Sequence, residues 1–259
     1  MVLYFQTAFS GPQKPDLKIK SNMQKELEDY MQLASHELKG PLRKARTFGD
    51  LLATRAARNL DEESVGYLER MLKNLDLMQS LLDRLTDYSM FEIGNIDERC
   101  DLNKILEEAE SSLITLPTEE KPEYKNDLLP VISGNGSALK KVFISLIDNS
   151  IKFQSGERKL KIEVTAEEIT EKEKLENGLQ SKIKYSKIVF ADNGIGLPEE
   201  DIESIFKPFV RLNGKSAYKG NGFGLALCKK IVEAHNGIIY ASPNKSGCCI
   251  TLILPLSGQ

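Results

Sequence analysis

NMQKELEDYMQLASHELKGPLRKARTFGDLLATRA, residues 22–56, decides the first half of the fold. Met23, Leu27, Met31, Ala34, Leu38, Leu42, Ala45, Gly49, Leu52 and Ala56 recur at spacings of three and four, which draws one apolar stripe along an α-helix. The rhythm returns at Val65, Leu68, Leu72, Leu75, Leu82, Leu85 and Ser89, with Gln79 as a polar intruder. Between the two runs, RNLDEES (58–64) offers Asp61 as a helix cap, with Glu62 and Glu63 in the first turn behind it. The pattern predicts two helices of roughly thirty residues folded back as an antiparallel hairpin. Two helices alone cannot bury both stripes. A second copy would complete a four-helix bundle, so a homodimer is expected.

Beyond residue 95 the pattern changes to alternating strands and helices. Asp101 can cap a helix running through Leu113, LLPVIS (128–133) reads as a strand, and Ser137 can cap a helix running to Phe153. KLKIEVTAEE (159–168) and IKYSKIVFAD (183–192) read as strands joined by a Lys/Glu-rich insertion, residues 168–182, expected to be an exposed loop. FGLALCKKIVEAHNG (223–237) is a helix stopped by Gly237, and IIYAS (238–242) and CCITLIL (248–254) form a terminal hairpin over PNKSG. The expected division is 1–21 as a leader, in which LYFQ resembles a protease-site remnant of an expression tag, 22–95 as a helical domain and 96–259 as an α/β domain.

Composition excludes several classes. The 259 residues are 41% hydrophobic and 28% charged, enough to build a core. A net charge of −3 gives no electrostatic case for nucleic acid or an anionic membrane. No apolar run approaches the ~18 residues of a membrane helix, and the first residues lack the basic and apolar regions of a signal peptide. Cys100, Cys228, Cys248 and Cys249 have no CxxC spacing and read as reduced thiols of a cytoplasmic protein. Two histidines, His36 and His235, leave little room for a histidine metal site.

Five stretches carry chemistry. His36 lies two residues before Leu38, so helix geometry turns it by about 200° from the apolar stripe towards solvent. Glu37 follows it, where a carboxylate can orient the ring or take its proton, and Pro41 bends the helix close by. Lys39, Arg43 and Arg46 share its side of the helix. A solvated charged face and a docking site for phosphate or an acidic partner both satisfy that pattern. In SLIDNSIKF (145–153), Ser145, Asn149 and Lys152 form a polar stripe opposite Leu139, Val142, Phe143 and Leu146. An amide oxygen there suits Mg²⁺ and a lysine suits phosphate. IVFADNGIGLP (188–198) ends a strand in Asp192, whose carboxylate can accept from an exocyclic amine, with Gly194 and Gly196 behind it. Gly220, Gly222, Gly224 and Leu225 open a helix, the arrangement that presents N–H groups to phosphate. No strand precedes them, so the dinucleotide-binding reading of these glycines fails.

ASHELKGPL, SLIDNSIKF, DNGIGLP, IFKPFVRL and GNGFGLAL, in that order over about 190 residues, resemble the boxes of the sensor histidine kinases. RKARTFGDLL (43–52) is similar to the phytochrome-like and PAS-linked subgroup. The resemblance implies a multidomain α and α+β chain: a dimeric helical hairpin for dimerisation and histidine phosphotransfer, then an α/β sandwich of the GHKL (Bergerat) type shared with gyrases, heat-shock chaperones and mismatch-repair ATPases. It implies an ATP:protein-L-histidine phosphotransferase with ATP and Mg²⁺ as cofactors. His36 would take the γ-phosphate, Glu37 would assist as base, Asn149 would hold Mg²⁺ and Lys152 would contact phosphate. Asp192 would bind the adenine amine, Gly194 and Gly196 would shape the pocket floor, and Phe206 and Phe209 would anchor a lid. Gly220, Gly222 and Gly224, with Leu225 next to them, would close over the phosphates. The partner would be the receiver domain of a response regulator.

Three positions depart from the family pattern. Ser145 replaces a first asparagine, Asn135 stands where aspartate is common, and Gly40 stands where Thr or Asn is tied to phosphatase activity. Ser145 also leaves room for a degenerate scaffold that dimerises and holds nucleotide without turnover. An ATP-gated machine of the gyrase or chaperone type is disfavoured by the histidine-bearing hairpin. His235, at a helix end, is expected to be dispensable for phosphorylation. With no sensor or receiver pattern in it, the sequence is expected to be the core of a longer protein.

Overall fold

The computed structural model describes residues 17–55, 60–113, 121–208, 210, 222–244 and 247–257, with side chains from residue 29 onward. The chain divides into two compact units, the division falling between Phe91 and Glu92.

The first unit is the hairpin. Helix α1 (Leu17–Arg55) starts earlier than its apolar stripe, and helix α2 (Glu62–Ser89) opens on the Asp61 cap, which accepts from the Ser64 amide at 2.8 Å. Pro41 sits inside α1 and the helix continues past it. The seam between the helices runs along buried Ser35, Leu42 and Gly49, seven residues apart. Gly49 fits closely there: a Cβ atom would meet Leu72 Cδ2 at 2.5 Å, so a larger residue requires the Leu72 side chain to move. Gly40 has open space around it and allows a side chain.

Not all of the predicted stripe faces the hairpin seam. Leu38 is 54% exposed, Leu52 is exposed too, as is Phe48 outside the stripe, and none of the 28 residues of α2 is buried. The apolar surface therefore has two arcs, one closed within the chain and one left open.

The second unit has a five-stranded sheet in the order β2-β4-β5-β7-β6. Its strands are β2 (Glu123–Asn126), β4 (Lys161–Glu168), β5 (Tyr185–Asp192), β6 (Ile238–Asn244) and β7 (Gly247–Pro255). β2 and β4 are parallel and every other pair is antiparallel. A separate pair joins β1 (Glu98–Asp101) to β3 (Val131–Gly134). Helices α3 (Leu102–Leu113), α4 (Gly136–Lys152) and α6 (Gly224–Ala234) bury Leu102, Leu139, Val142 and Ile231. Even-numbered sheet residues such as Ile188, Phe190, Leu252 and Leu254 are buried, and Phe190 meets Phe143 of α4 edge to face at 5.0 Å.

The opposite face, odd-numbered in β5 and β7 and even-numbered in β6, is covered where the sequence promised a loop. Residues 168–182 contain helix α5 (Glu171–Glu176), closed by a capping box between Thr170 and Glu173. Around it Ile169, Leu179 and Ile183 pack with Tyr185, Ile238, Tyr240 and Ile253. Lys174 is buried and bonds to Glu171 at 2.6 Å. The insertion thus folds over part of that face. The Ser137 cap is also corrected: the cap of α4 is Asn135, whose side-chain oxygen accepts from the Ala138 amide at 3.0 Å and from the Ser137 hydroxyl at 2.8 Å. At the end of α6 the left-handed residue is Asn236 (φ 56°), one before Gly237.

His235 is a buried joint between α6 and the start of α4. Its Nε2 accepts from the Asn135 amide at 2.9 Å, so the ring proton is on Nδ1, which donates to the Ile231 carbonyl at 2.8 Å. Burial pushes its pKa below the ordinary 6.5 despite the opposing bond to Ile231. Because the folded pKa is the lower one, the unfolded chain takes up the proton first, and the stability contributed by neutral His235 is lost as pH falls below about 6.5. Thermal unfolding of the second unit should therefore drop between pH 7.5 and 5.5, and His235→Gln should flatten that slope while costing about 1–3 kcal/mol at neutral pH. An unchanged slope in the variant would remove His235 from the acid response.

No helix among the described residues is long and apolar enough to cross a membrane.

Candidate functional site

Each unit carries its own group of candidate residues. On α1, buried Ser35 donates from its hydroxyl to the Met31 carbonyl at 2.7 Å and belongs to the seam. One residue further round the helix, the His36 side chain is 86% exposed and that of Glu37 74%. His36 Nδ1 lies 3.7 Å from Glu37 Oε1, just outside hydrogen-bond range and closable by a side-chain rotation.

The neighbouring cations divide. Lys39 reaches Asp83 of α2 at 2.9 Å, and Asp83 also accepts from Gln79 at 3.2 Å. Lys39 first, and then Gln79, holds the Asp83 carboxyl below the usual carboxylate range. Gln79, the intruder in the apolar stripe, thus steadies the carboxylate that steadies Lys39. Arg46 pairs with Asp76 and, at 3.1 Å, with Asp50. Both raise its pKa, Asp76 more strongly. Two of the three cations tie α1 to itself and to α2, while Arg43 stays exposed.

In the second unit the centre is Asp192, the last residue of β5. Its Oδ1 accepts from the amides of Gly194 at 2.9 Å and Cys248 at 3.2 Å. Its Oδ2 accepts from the Ser150 hydroxyl at 3.0 Å. Three places therefore hold one carboxylate: α4, the glycine turn after β5 and the start of β7. The backbone is as close-set. A Cβ on Gly194 would lie 2.5 Å from the Phe153 carbonyl oxygen, and one on Gly247 would lie 1.9 Å from the Asp192 carbonyl oxygen. Gly196 has φ +82°, which a side chain disfavours. Between the glycines, Ile195 leaves 46% of its surface open.

Asn193 has a structural task. It accepts from the Lys161 amide at 2.8 Å and donates to the Lys159 carbonyl at 3.0 Å. Arg158 donates to the Gly194 carbonyl at 3.0 Å, tying the glycine turn to the loop after α4. Burial, and then the Asp192 charge, push the Cys248 thiol up to about 12, so it stays protonated.

Ser145, Asn149 and Lys152 are half-exposed along α4, as the stripe requires. α6 starts directly against it: a Cβ on Gly224 would come within 2.8 Å of Ser145 Oγ. Ser145 also bonds to Cys228, one turn into α6, where burial raises the thiol to about 12. No side chain caps the start of α6, where Phe223 is buried and Gly222 has φ 72°. The described amides of Gly224 and Leu225 belong to that first turn. Phe206 is buried. Phe209 and Gly220 lie outside the described residues.

Ser150 and the Cys248 amide are the members of the site that motif reading missed. The contacts span 42 and 56 residues of sequence and leave no local signal.

These residues fit an adenine nucleotide by their donor set. Asp192 retains a lone pair on Oδ2 for an amine, Ile195 offers an apolar surface to a ring, and α4 presents amide and ammonium groups beside a helix start.

Residues 26–94 match the His Kinase A (phospho-acceptor) domain, and residues 134–258 match the histidine kinase-, DNA gyrase B-, and HSP90-like ATPase family. The chain is 30% identical over 222 residues to the phytochrome-like protein Cph1 of Synechocystis, covering 85% of this chain and 28% of that protein. It is 30% identical over 236 residues to cyanobacterial phytochrome A of Nostoc (90% and 29%). It is also 30% identical over 253 residues to the sensor protein kinase WalK of Staphylococcus epidermidis (93% and 38%). The chain thus spans less than two-fifths of the length of these relatives. Among solved structures, full-length ShkA in complex with AMPPNP shares the fold at a TM-score of 0.57 and 19% identity, over 89% of this chain and 46% of that one. The mycobacterial sensor histidine kinase MprB does so at 0.50 and 19%, over 63% and 100%. With a phospho-acceptor domain matched over the helical hairpin and an ATPase domain matched over the sheet unit, the chain belongs to the sensor histidine kinase family, with phytochrome-like proteins among its relatives.

Proposed function

We propose that the chain is the kinase core of a two-component sensor, an ATP:protein-L-histidine phosphotransferase that phosphorylates His36. The observation that carries the reading is the pairing of an outward, carboxylate-flanked imidazole with an amine-accepting carboxylate at the end of β5. Mg-ATP, when bound, supplies the γ-phosphoryl group and the charge neutralisation that its transfer needs. Asp192 accepts from the adenine amine, and Gly194 and Gly196 let the backbone approach the ring. Asn149 offers an amide oxygen to the metal and Lys152 an ammonium to the phosphates. Gly220, Gly222, Gly224 and Leu225 bring the start of α6 to the same phosphates, and Phe209 belongs to the segment leading to them. On α1, Nδ1 of His36 lies beside Glu37, which leaves Nε2 to attack the γ-phosphorus; the bond from the γ-phosphorus to the bridging oxygen breaks, ADP leaves, and Glu37 takes the ring proton. The phosphoryl group then passes to an aspartate in a receiver domain. Incubation with γ-³²P-ATP tests the reading: acid-labile, alkali-stable label on the protein supports it. Nucleotide binding without label would favour the scaffold, and free phosphate without label an ATPase.

The active unit is a homodimer closed through the open apolar arc of the hairpin. Leu52 and Met78, both about half exposed, are the positions to test. Leu72 is not one of them, because it packs on Gly49 within its own chain. Leu52→Glu and Met78→Glu should each shift the light-scattering mass towards the monomer, since a carboxylate in a closed apolar interface is costly. A monomeric unsubstituted protein would refute the dimer.

A further inference from the structure

We infer that Ser150 is a positioning residue for base recognition, one that selects which lone pair of Asp192 meets the adenine amine; this rests on the reading of Asp192 as the adenine contact. A carboxylate offers about four lone-pair directions, two on each oxygen. Both directions on Oδ1 are taken by the backbone amides of Gly194 and Cys248. On Oδ2 the Ser150 hydroxyl takes one, which leaves a single direction for an incoming donor. The hydroxyl has one proton and two acceptors in reach, the Leu146 carbonyl at 3.3 Å and Asp192 Oδ2 at 3.0 Å. The shorter, charge-assisted bond takes it.

Ser150 is buried on the packed side of α4, one residue after Asn149, so its position is fixed by the same helix that carries the polar stripe. The link is also mechanical. Any movement of α4 that shifts Asn149 shifts the hydroxyl on Asp192, so the adenine end and the phosphate end of the site are set by one rigid element. Without the hydroxyl, Oδ2 presents two equivalent directions and the amine loses its defined seat, although Oδ1 remains held by backbone.

The test compares ATP with purine riboside 5′-triphosphate, which carries hydrogen in place of the 6-amino group, by equilibrium titration calorimetry. The unsubstituted protein should favour ATP. Ser150→Ala should weaken ATP about 3- to 10-fold, the cost of fixing an acceptor that is no longer pre-positioned rather than of a bond lost to the ligand, and leave the analogue within about twofold. Alanine favours helix, so the fold is retained, and thermal unfolding checks this. Ser150→Thr, which keeps a hydroxyl, should restore most of the preference for ATP. If Ser150→Ala weakens both ligands alike or neither, the inference is overturned while the Asp192 reading stands. If the unsubstituted protein does not distinguish the two ligands, the Asp192 reading falls and takes this one with it.

Discussion

The His36→Gln protein should take up no acid-labile label from γ-³²P-ATP while binding the nucleotide as tightly as the unsubstituted protein does. The loss is expected to be complete because no other imidazole can take over. His235 is buried, its Nδ1 is committed to Ile231 and its Nε2 to the Asn135 amide, so it has no lone pair to offer. Binding is expected to be unchanged because every residue proposed to hold the nucleotide belongs to the second unit and His36 to the first. Gln also keeps a polar, exposed side chain on a helix that does not bury it, so hairpin stability should move by less than about 0.5 kcal/mol. Glu37→Gln should give the graded result that marks a base: slower labelling, about 10²- to 10⁴-fold, with the same final chemistry. Label retained in His36→Gln would place the phosphoacceptor elsewhere.

The hairpin was legible because a 3.6-residue period repeated over two long runs outweighs local noise. The period could not say which apolar residues meet which partner. Gly49 and Leu38 sit on one stripe by count, yet Gly49 is pressed against Leu72 and Leu38 is mostly open. The short strands β1 and β2 were invisible for a different reason. ERCD and EYKN carry no alternation that two faces could read, and their pairing with β3 and β4 fixes them from outside. The insertion was misread from its Lys/Glu content, although Thr170 and Glu173 spell a capping box and Leu179 and Ile183 sit ready to cover the sheet. In the candidate site, Asp192, Asn149 and the glycines could be nominated because each box is local. What holds them could not, since Ser150, Gly247 and the Cys248 amide reach Asp192 only once the sheet is assembled.

Asp192→Asn is the sharpest test of the nucleotide pocket, because the structure says which way the new amide must point. Oδ1 of Asp192 is surrounded by two N–H donors, so the amide oxygen of the variant has to occupy that place and the NH₂ group must take the place of Oδ2. The fold tolerates this. The Ser150 hydroxyl can turn its proton to the Leu146 carbonyl and accept from the new amide, so no buried group is orphaned and thermal stability should stay close to that of the unsubstituted protein. The ligand does not tolerate it, for the adenine amine now meets a donor instead of an acceptor. A mismatch of that kind costs about 1–3 kcal/mol, so the affinity for ATP should fall roughly 5- to 150-fold. A base with a carbonyl in place of the amine meets the donor it needs, so the preference for ATP over ITP should narrow in the same variant. Calorimetric titration of both nucleotides reads the two effects together. Unchanged affinity for ATP in a folded Asp192→Asn protein would mean that the adenine amine finds its acceptor away from the end of β5.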